Sequence, residues 1–213
     1  MNRHTLGKIV RFFFHWHYDV RVTGEEVLRN DAVHLVMPNH SAFIDPVLLF
    51  AEEYWLPMCP MGDERFVRHG LYGRFLKMVD VIEVPDLTNS AMSREEGVEQ
   101  TRRLGQIAIE SLAAGKQICL YPSGHVMNVN REVIGNRRTA YEVCRDLPKG
   151  VRVVLCRMWG LEHSYFSKLK TRWAWRRTVT MHFEDKTEEV CRWAQTMDRR
   201  AFNEQLEAWY NER

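Results

Sequence analysis

A histidine and an aspartate stand five positions apart in the segment Asn39-His40-Ser41-Ala42-Phe43-Ile44-Asp45-Pro46. An imidazole takes up a proton near neutral pH when a neighbouring group holds the ring and stabilises its charged form, and an aspartate does both. On a continuous helix five positions rotate a side chain by about 140°, so His40 and Asp45 meet only if the chain turns between them. The spacing therefore indicates an acid–base pair on a turn, although a surface hydrogen bond or a capped helix start explains it equally well.

The residues around this segment predict a strand, a turn and a helix. The apolar run 33–37 favours a buried strand directly before the segment. Pro38 and Pro46 flank the turn, and we expect Asp45 at the N-cap of a helix whose first residue is Pro46.

A second turn, Tyr121-Pro122-Ser123-Gly124-His125, closes a predicted strand at 117–121. Ligand sites of open α/β sheets lie at the carboxyl ends of strands, so the two turns are expected to line one crevice. A serine hydrolase would use Ser123 as its nucleophile, but the Gly-x-Ser-x-Gly motif is absent. A tight turn that needs Pro122 and Gly124 is the simpler explanation.

Helical and strand patterns alternate through the rest of the chain, which predicts an α/β fold. Further strands are expected at 79–84, 151–158 and 178–183. The clearest helix is predicted for 94–114, where Ser93 and Glu96 form a capping box and Gly115 ends the helix. A last helix is expected at 198–209.

The N-terminal residues have the pattern of an amphipathic helix. One face is expected to carry Leu6, Ile9, Val10, Phe13 and His17, widened by Phe12, Phe14 and Trp16, and the other His4, Lys8, Arg11 and His15. A broad aromatic face opposite basic residues suits a membrane interface, while packing on the domain's own core explains the pattern nearly as well.

Composition narrows the function classes. The chain has 213 residues with 30 basic and 28 acidic side chains, a balance that gives no support to nucleic-acid binding. Its five cysteines include no Cys-x-x-Cys pair, and Cys119 and Cys156 lie in apolar runs, which is typical of a reducing compartment. No apolar stretch approaches the roughly 20 residues of a membrane-spanning helix. His15, His17 and His163 lack the spacing of metal ligands, so no metal is expected.

The two turns resemble the conserved blocks of the glycerolipid acyltransferases, the 1-acylglycerol-3-phosphate acyltransferase family. Residues 39–45 resemble the family's N-H-x-S/x-x-x-D block, and residues 121–125 are similar to its F-P-E-G-T block. Residues 151–157 resemble a later apolar strand, residues 158–167 resemble the L-W-G-S-x-F-S segment of relatives that reacylate lysophospholipids, and 79–84 occupy the place of a further block. The resemblance extends over about residues 20–185.

This resemblance implies a fold and a mechanism. The fold would be a central mixed, mostly parallel sheet flanked by helices, in a single domain over 1–213 with a membrane-associating helix at 1–19, a catalytic core at 20–185 and C-terminal helices at 186–213. His40 would be the general base, Asp45 would orient it, and a lipid hydroxyl would attack the thioester of acyl-CoA or acyl carrier protein directly. No bound cofactor is required, Asn39 and Ser41 would shape the substrate site through the turn, and N–H groups near Gly124 would stabilise the oxyanion.

Departures from the family pattern concern the acceptor site. Ser123 stands at the position of the family's glutamate, Val126 at that of its arginine, and Pro85 near the arginine of another block. Other cations would have to bind a phosphate, and the candidates are Arg65, Arg68, Arg131, Arg137 and Arg138, with His125 in the altered pocket. A lysophospholipid with a larger head group, or an aminolipid, therefore becomes a better candidate acceptor than lysophosphatidic acid.

Residues 166–177 combine five cations with two tryptophans and no acidic residue. The cations are Lys168, Lys170, Arg172, Arg176 and Arg177, and the tryptophans are Trp173 and Trp175. Cations near a bilayer attract anionic lipids and tryptophan favours the interface. Single-stranded nucleic acid and a solvated connection with core tryptophans are the alternatives.

The sequence thus predicts a peripheral acyltransferase on the cytoplasmic side of the inner membrane, docked by Phe13, Trp16 and the basic segment. Its partners would be anionic lipids, a lysolipid acceptor and possible donors such as acyl carrier protein. A lipid or thioester hydrolase and a catalytically inactive membrane-binding relative are the alternatives.

Overall fold

A seven-stranded sheet forms the centre of the molecule in the computed structural model, which describes residues 3–68, 70–84, 93–169 and 177–212. The strands are β1 (Asp19–Thr23), β2 (His34–Pro38), β3 (Met58–Asp63), β4 (Ile82–Val84), β5 (Gln117–Cys119), β6 (Arg152–Trp159) and β7 (Thr178–Asp185). Their order across the sheet is β1-β7-β6-β2-β5-β3-β4.

The directions of the strands bring the ends of several strands together along one side of this sheet. β6, β2, β5, β3 and β4 run parallel, β7 is antiparallel to β6, and β1 is parallel to β7. The prediction of a mixed, mostly parallel sheet is therefore confirmed. The carboxyl ends of β2, β5 and β6 consequently share an edge with the amino ends of β1 and β7, and we call it the functional edge.

Helices cover both faces of the sheet. They are α1 (Arg3–His17), α2 (Asp45–Glu52), α3 (Glu64–Val67), α4 (Gly70–Met78), α5 (Arg94–Ala113), α6 (Thr139–Arg145), α7 (Thr187–Thr196) and α8 (Arg199–Asn211). Successive residues of β2 point to opposite faces, so Leu35 packs with Leu112 of α5 and Phe202 of α8, whereas Val36 packs with Phe14 of α1 and Leu48 of α2. Burial on both faces explains the continuous apolar runs of the central strands.

Strand prediction was accurate where apolar runs are long. β2, β6 and β7 lie within two residues of the predicted bounds. The strand expected at 79–84 is wrong in its first half, because Val79 and Asp80 form a turn after α4 and only Ile82–Val84 pairs. The strand expected at 117–121 ends at Cys119. β1 and β3 were not predicted, since β1 alternates with polar residues and β3 contains Pro60 and Gly62.

The expected faces of α1 are partly reversed. Phe14 and Gly7 are its buried residues, while Phe12, Phe13 and Trp16 are exposed. A side chain at position 7 would clash with Tyr54, so a glycine there allows α1 to approach the end of α2. None of the helices in the described ranges is long and apolar enough to cross a membrane.

Two of the basic residues predicted for the polar face of α1, Arg11 and His15, contact the protein, whereas His4 and Lys8 are exposed. Arg11 Nε donates to Glu52 at 2.9 Å, and His15 Nε2 lies 2.9 Å from the other oxygen of the same carboxylate. Glu52 is almost fully buried, so these contacts join α1 to α2. The exposed aromatic residues are consequently left on a separate surface of α1.

Candidate active site

His40 and Asp45 meet on the turn between β2 and α2. His40 Nδ1 lies 3.0 Å from Asp45 Oδ2. A carboxylate only accepts hydrogen bonds, so this contact assigns the proton to Nδ1 and leaves Nε2 as the basic nitrogen. The His40 side chain is 16% exposed and that of Asp45 is 0% exposed. The ring thus reaches the surface while its orienting carboxylate is buried.

Asp45 receives donors from the turn itself. Ser41 Oγ donates to Oδ1 at 3.0 Å, and the Ala42 N–H donates to Oδ2 at 2.9 Å. The expectation that Asp45 is the N-cap needs correction, because α2 begins at Asp45 and its N-cap is Ile44. The Asp45 carboxylate folds back over the preceding turn, where it holds the side chain of His40.

Asn39 and Ser41 shape this turn and have no solvent-accessible surface. The Asn39 amide donates to the Met158 carbonyl at 2.8 Å and accepts from the Met158 N–H at 2.6 Å, so it fastens the end of β2 to β6. Both side chains are therefore bonded within the protein, as a turn-shaping role requires. Their contribution to a substrate site stays a prediction.

The turn after β5 lies beside the turn of His40. The ring of Tyr121 is 4.3 Å from the ring of His40, measured between centroids. Ser123 is buried and its hydroxyl donates to the His125 carbonyl at 3.1 Å, while Nδ1 of His125 donates to the Ser123 carbonyl at 2.8 Å. The Gly124 N–H donates to the Tyr121 carbonyl at 3.0 Å, so that N–H closes the turn and is not available for an oxyanion.

Glu132 is a residue of this site that the sequence reasoning missed. Its Oε2 accepts the main-chain N–H of His40 at 3.0 Å, and its side chain is almost fully buried. Burial raises the pKa of Glu132, while the Ser123 side chain and the His40 N–H act in the opposite direction. Its sequence neighbourhood carries no motif, so only the fold brings it to His40.

The candidate phosphate-binding arginines belong to two parts of the chain, the α3 region and the loop before α6. Arg65 and Arg68 belong to the α3 region, and Arg68 pairs with Glu64 at 2.8 Å. Arg137 is exposed in the loop before α6, and Arg138 pairs with Glu142 at 3.6 Å. Arg131 is exposed in the same loop as Glu132. A cavity of about 450 Å³ between α3 and α4 is lined by Arg68 together with Arg74 and Lys77.

The predicted docking residues are partly described. Phe13 and Trp16 are exposed by 57% and 59%. Arg177 precedes β7 at the functional edge, where its carbonyl accepts the Asp19 N–H at 2.9 Å. Lys170, Arg172, Trp173, Trp175 and Arg176 lie outside the described residues.

An aromatic groove of about 360 Å³ opens beside the His40 turn. Phe13 and His17 of α1, Ile44, and Tyr165 and Phe166 line it, among others. The Phe43 N–H donates to the Phe166 carbonyl at 3.1 Å, which joins the loop after β6 to the turn before α2. The groove therefore extends from α1 to Ile44, the residue that precedes Asp45.

Cysteine and metal chemistry find little support in the described part of the chain. Burial raises the pKa of the Cys119 thiol to about 12, and it also raises the pKa of Cys144 and Cys156. Such thiols are poor nucleophiles. Within the described ranges, no three His, Cys, Asp or Glu side chains come together as in a metal site.

Comparisons with known proteins agree with the fold and the motifs. Residues 19–159 match a family model described as Acyltransferase. The fold is similar to the crystal structure of the 1-acyl-sn-glycerophosphate (LPA) acyltransferase PlsC from Thermotoga maritima, with a TM-score of 0.61 and 18% identity over 99% of this chain and 81% of that chain. No significant match was found among curated proteins.

Proposed function

This chain belongs to the acyltransferase family, and on that premise we propose that it transfers a fatty acyl group from a CoA or acyl carrier protein thioester to a hydroxyl of a lysophospholipid or related lysolipid. The observation that carries the proposal is the pair of His40 and Asp45 at the functional edge. Its imidazole reaches solvent, and its buried carboxylate fixes the tautomer in which Nε2 is basic.

The reaction follows from this geometry in two proton transfers. Nε2 of His40 takes the proton of the lipid hydroxyl while the oxygen attacks the thioester carbonyl carbon, and Asp45 stabilises the resulting imidazolium. The tetrahedral intermediate then collapses, the carbon–sulfur bond breaks, and the leaving thiolate takes the proton back. The products are an ester and a free thiol, and His40 returns to its starting state.

A direct attack fits the surroundings of His40 better than a covalent enzyme intermediate. The Ser123 hydroxyl donates to a main-chain carbonyl and is buried, so it is not arranged as a nucleophile activated by His40. Burial raises the pKa of the three fully buried cysteine thiols, which disfavours the nucleophilic thiolate form. These contacts support direct attack on the thioester over a covalent enzyme intermediate, and the reaction product distinguishes a lipid hydroxyl from water as the attacking group.

The cavity between α3 and α4 is a candidate site for an anionic part of a substrate. Arg68, Arg74 and Lys77 line it, and Arg74 and Lys77 make no ion pair among the described residues. α3 directly follows β3, whose carboxyl end lies at the functional edge. A phosphate of the acceptor or of CoA would find three cations there, which supports an anionic substrate.

The proposed place of action is the cytoplasmic face of an anionic membrane, and the exposed aromatic surface supports the membrane docking itself. Phe12, Phe13 and Trp16 of α1 are exposed by 69%, 57% and 59%, and Tyr165 beside the same groove by 88%. Aromatic side chains of this kind favour the membrane interface, and the basic segment 166–177 would add attraction to anionic lipids. A lysolipid would then enter the site from the bilayer.

The function is tested by incubating the purified full chain with palmitoyl-CoA or palmitoyl carrier protein and a panel of lysophospholipids. We expect a new diacyl lipid by mass spectrometry and, for His40→Ala, a rate at least about 100-fold lower. His182→Ala is the matched control, because His182 bonds Thr23 on the far strands of the sheet. Free fatty acid without a new lipid would favour the hydrolase, and wild-type activity in His40→Ala would refute the mechanism.

Membrane docking is tested by sedimentation with lipid vesicles. Phe13→Ser/Trp16→Ser is expected to weaken binding to vesicles with or without phosphatidylglycerol. The fourfold variant Lys170→Gln/Arg172→Gln/Arg176→Gln/Arg177→Gln should weaken binding only when phosphatidylglycerol is present, by about 1 kcal/mol per cation. Val98→Ser, an exposed apolar position on α5, is the control. Unchanged binding in both variants would remove these segments from the docking surface.

A further inference from the structure

Glu132 holds the main chain of the turn that carries His40. Its Oε2 accepts the N–H of His40 at 3.0 Å, and the carbonyl of His40 accepts the N–H of Met127 at 2.8 Å. Both the amide and the carbonyl of His40 are therefore bonded to the loop between β5 and α6. The side chain of His40 is held separately, by Asp45.

The C-terminal helix α8 fixes Glu132 in this position. The Asn211 side chain accepts the Glu132 N–H at 2.9 Å and donates to the Glu132 carbonyl at 3.0 Å. Glu207 accepts the N–H groups of Ile134 and Gly135, each at 2.7 Å. The main chain on both sides of the Glu132 side chain is thus bonded to α8.

Two further contacts of α8 show that it supports the same region. The Tyr210 hydroxyl donates to the carbonyl of Met37, at the end of β2, at 2.7 Å. The amide of Asn203 donates to the carbonyls of Gly135 and Arg137 at 2.8 and 2.9 Å. α8 lies outside the residues that match the family model, so this support belongs to a part of the chain that the family comparison does not cover.

Charged and titratable groups meet around the Glu132 carboxyl. His40, Asp45 and the Tyr210 hydroxyl are close enough to interact with it electrostatically. A buried carboxyl loses its hydration, and hydrogen bonds offset that cost. The hydrogen bond from the His40 N–H offsets part of it and at the same time ties the carboxyl to the catalytic turn.

We infer that Glu132 is a positioning residue for His40: it holds the main chain of the catalytic turn so that the ring reaches the lipid hydroxyl, and α8 holds Glu132. This inference rests on the proposed function. It differs from a purely structural role, because the hydrogen bond acts on the main chain of the general base itself. Misplacement of a reacting group by about 1 Å costs about 100-fold in rate.

The test compares Glu132→Ala with Glu132→Gln in the full chain, using palmitoyl-CoA and the lysophospholipid that the wild type acylates fastest. Glu132→Ala is expected to lower kcat about 10- to 100-fold with little change in KM. Glu132→Gln keeps an oxygen that accepts the His40 N–H, so its kcat should stay within about threefold of the wild type. Rates are expressed per folded molecule, measured by circular dichroism.

A second variant keeps the inference testable if Glu132→Ala does not fold. Asn211→Ala removes the two contacts to the Glu132 main chain without changing the carboxyl, and should lower kcat about 3- to 10-fold at unchanged KM. Glu204→Gln is the control on the same helix, because Glu204 is exposed and pairs with Arg200.

Three results would overturn the inference. These are a wild-type kcat in Glu132→Ala, an equal loss in Glu132→Gln, or a wild-type kcat in Asn211→Ala. Absence of transfer by the wild type itself would instead refute the proposed function, together with the inference that depends on it.

Discussion

The two ends of α2 carry buried carboxyl groups in opposite surroundings. At its beginning, Asp45 accepts hydrogen bonds from Ser41 and Ala42 and orients His40. Just after its last residue, Glu53 is fully buried, and neither of its carboxyl oxygens has a hydrogen-bond partner among the described residues. Burial raises the pKa of Glu53 to about 8. The carboxylate at the beginning of α2 is therefore surrounded by hydrogen-bond donors, whereas the carboxyl group just after its end has none among the described residues.

Helix electrostatics give this difference a physical meaning. The N-terminus of a helix favours negative charge and its C-terminus disfavours it. Asp45, in the first turn, can serve as the charged partner of an imidazolium, whereas Glu53 beyond the last turn is favoured in its protonated form. Its neighbour Glu52 is compensated by Arg11 and His15 of α1. Function is thus expected at the beginning of α2, and pH-dependent stability at its end.

The largest effect is expected from Asp45→Asn. The amide carries no charge and has one acceptor oxygen where the carboxylate has two, so it stabilises the imidazolium less and holds the proton on Nδ1 less firmly. We expect kcat for acyl transfer to fall about 10²- to 10⁴-fold, measured with palmitoyl-CoA and the best lysophospholipid.

The control for Asp45→Asn is Asp198→Asn. Asp198 also begins a helix and accepts the Ala201 N–H at 2.9 Å, but it lies in the N-cap of α8. It should keep the wild-type kcat. A rate for Asp45→Asn within threefold of the wild type would show that the beginning of α2 is only a capped helix start.

Glu53→Gln is expected to change stability in a pH-dependent way. The pKa of Glu53 is about 8 in the folded chain against an ordinary value of 4.5, so the wild type loses stability as the pH rises from about 4.5 to 8. Glutamine does not titrate and avoids this loss. Relative to the wild type, the variant should gain on the order of 3 kcal/mol between pH 5.5 and 8, measured by urea unfolding.

The sign of this change is the decisive observation. Glu25 and Glu52 also raise the pKa of Glu53, whereas Arg29 and Arg11 lower it, but burial is the largest cause. A stability difference between Glu53→Gln and the wild type that is constant from pH 5.5 to 8 would contradict the unpartnered state of Glu53. A free energy of unfolding of Glu53→Gln that falls relative to that of the wild type as the pH rises would contradict it more strongly.

Sequence reasoning succeeded where the interactions are local. His40 and Asp45 lie within one turn, so residue types and spacing were sufficient to indicate a pair. β2 and β6 were predicted because strands buried on both faces consist of long apolar runs. The capping box of Ser93 and Glu96 was likewise recognised from its spacing, and the structure confirms it.

The remaining features depend on tertiary contacts. Glu132 reaches His40 across 92 positions of sequence, and it is held there by a helix that begins 67 residues later, at Arg199. The basic residues of α1 were expected opposite the packed face, but Glu52 draws Arg11 and His15 towards α2. β3 pairs with β5 and β4 although Pro60 and Gly62 weaken its strand pattern. None of these pairings has a signal in local periodicity.

Ser93→Ala gives the smallest effect and separates helix capping from catalysis. The Ser93 hydroxyl accepts the Glu96 N–H at 3.1 Å, and the Ser93 N–H donates to the Glu96 carboxylate at 2.7 Å. The start of α5 is therefore capped, as a helix start can be, but its capping residues do not orient a histidine. Loss of the hydroxyl should lower the free energy of unfolding by about 1 kcal/mol and leave kcat unchanged. Urea unfolding and the acyl-transfer assay measure both quantities. A fall in kcat comparable to that of Asp45→Asn would mean that both variants act through helix stability, and the contrast between the two ends of α2 would lose its catalytic meaning.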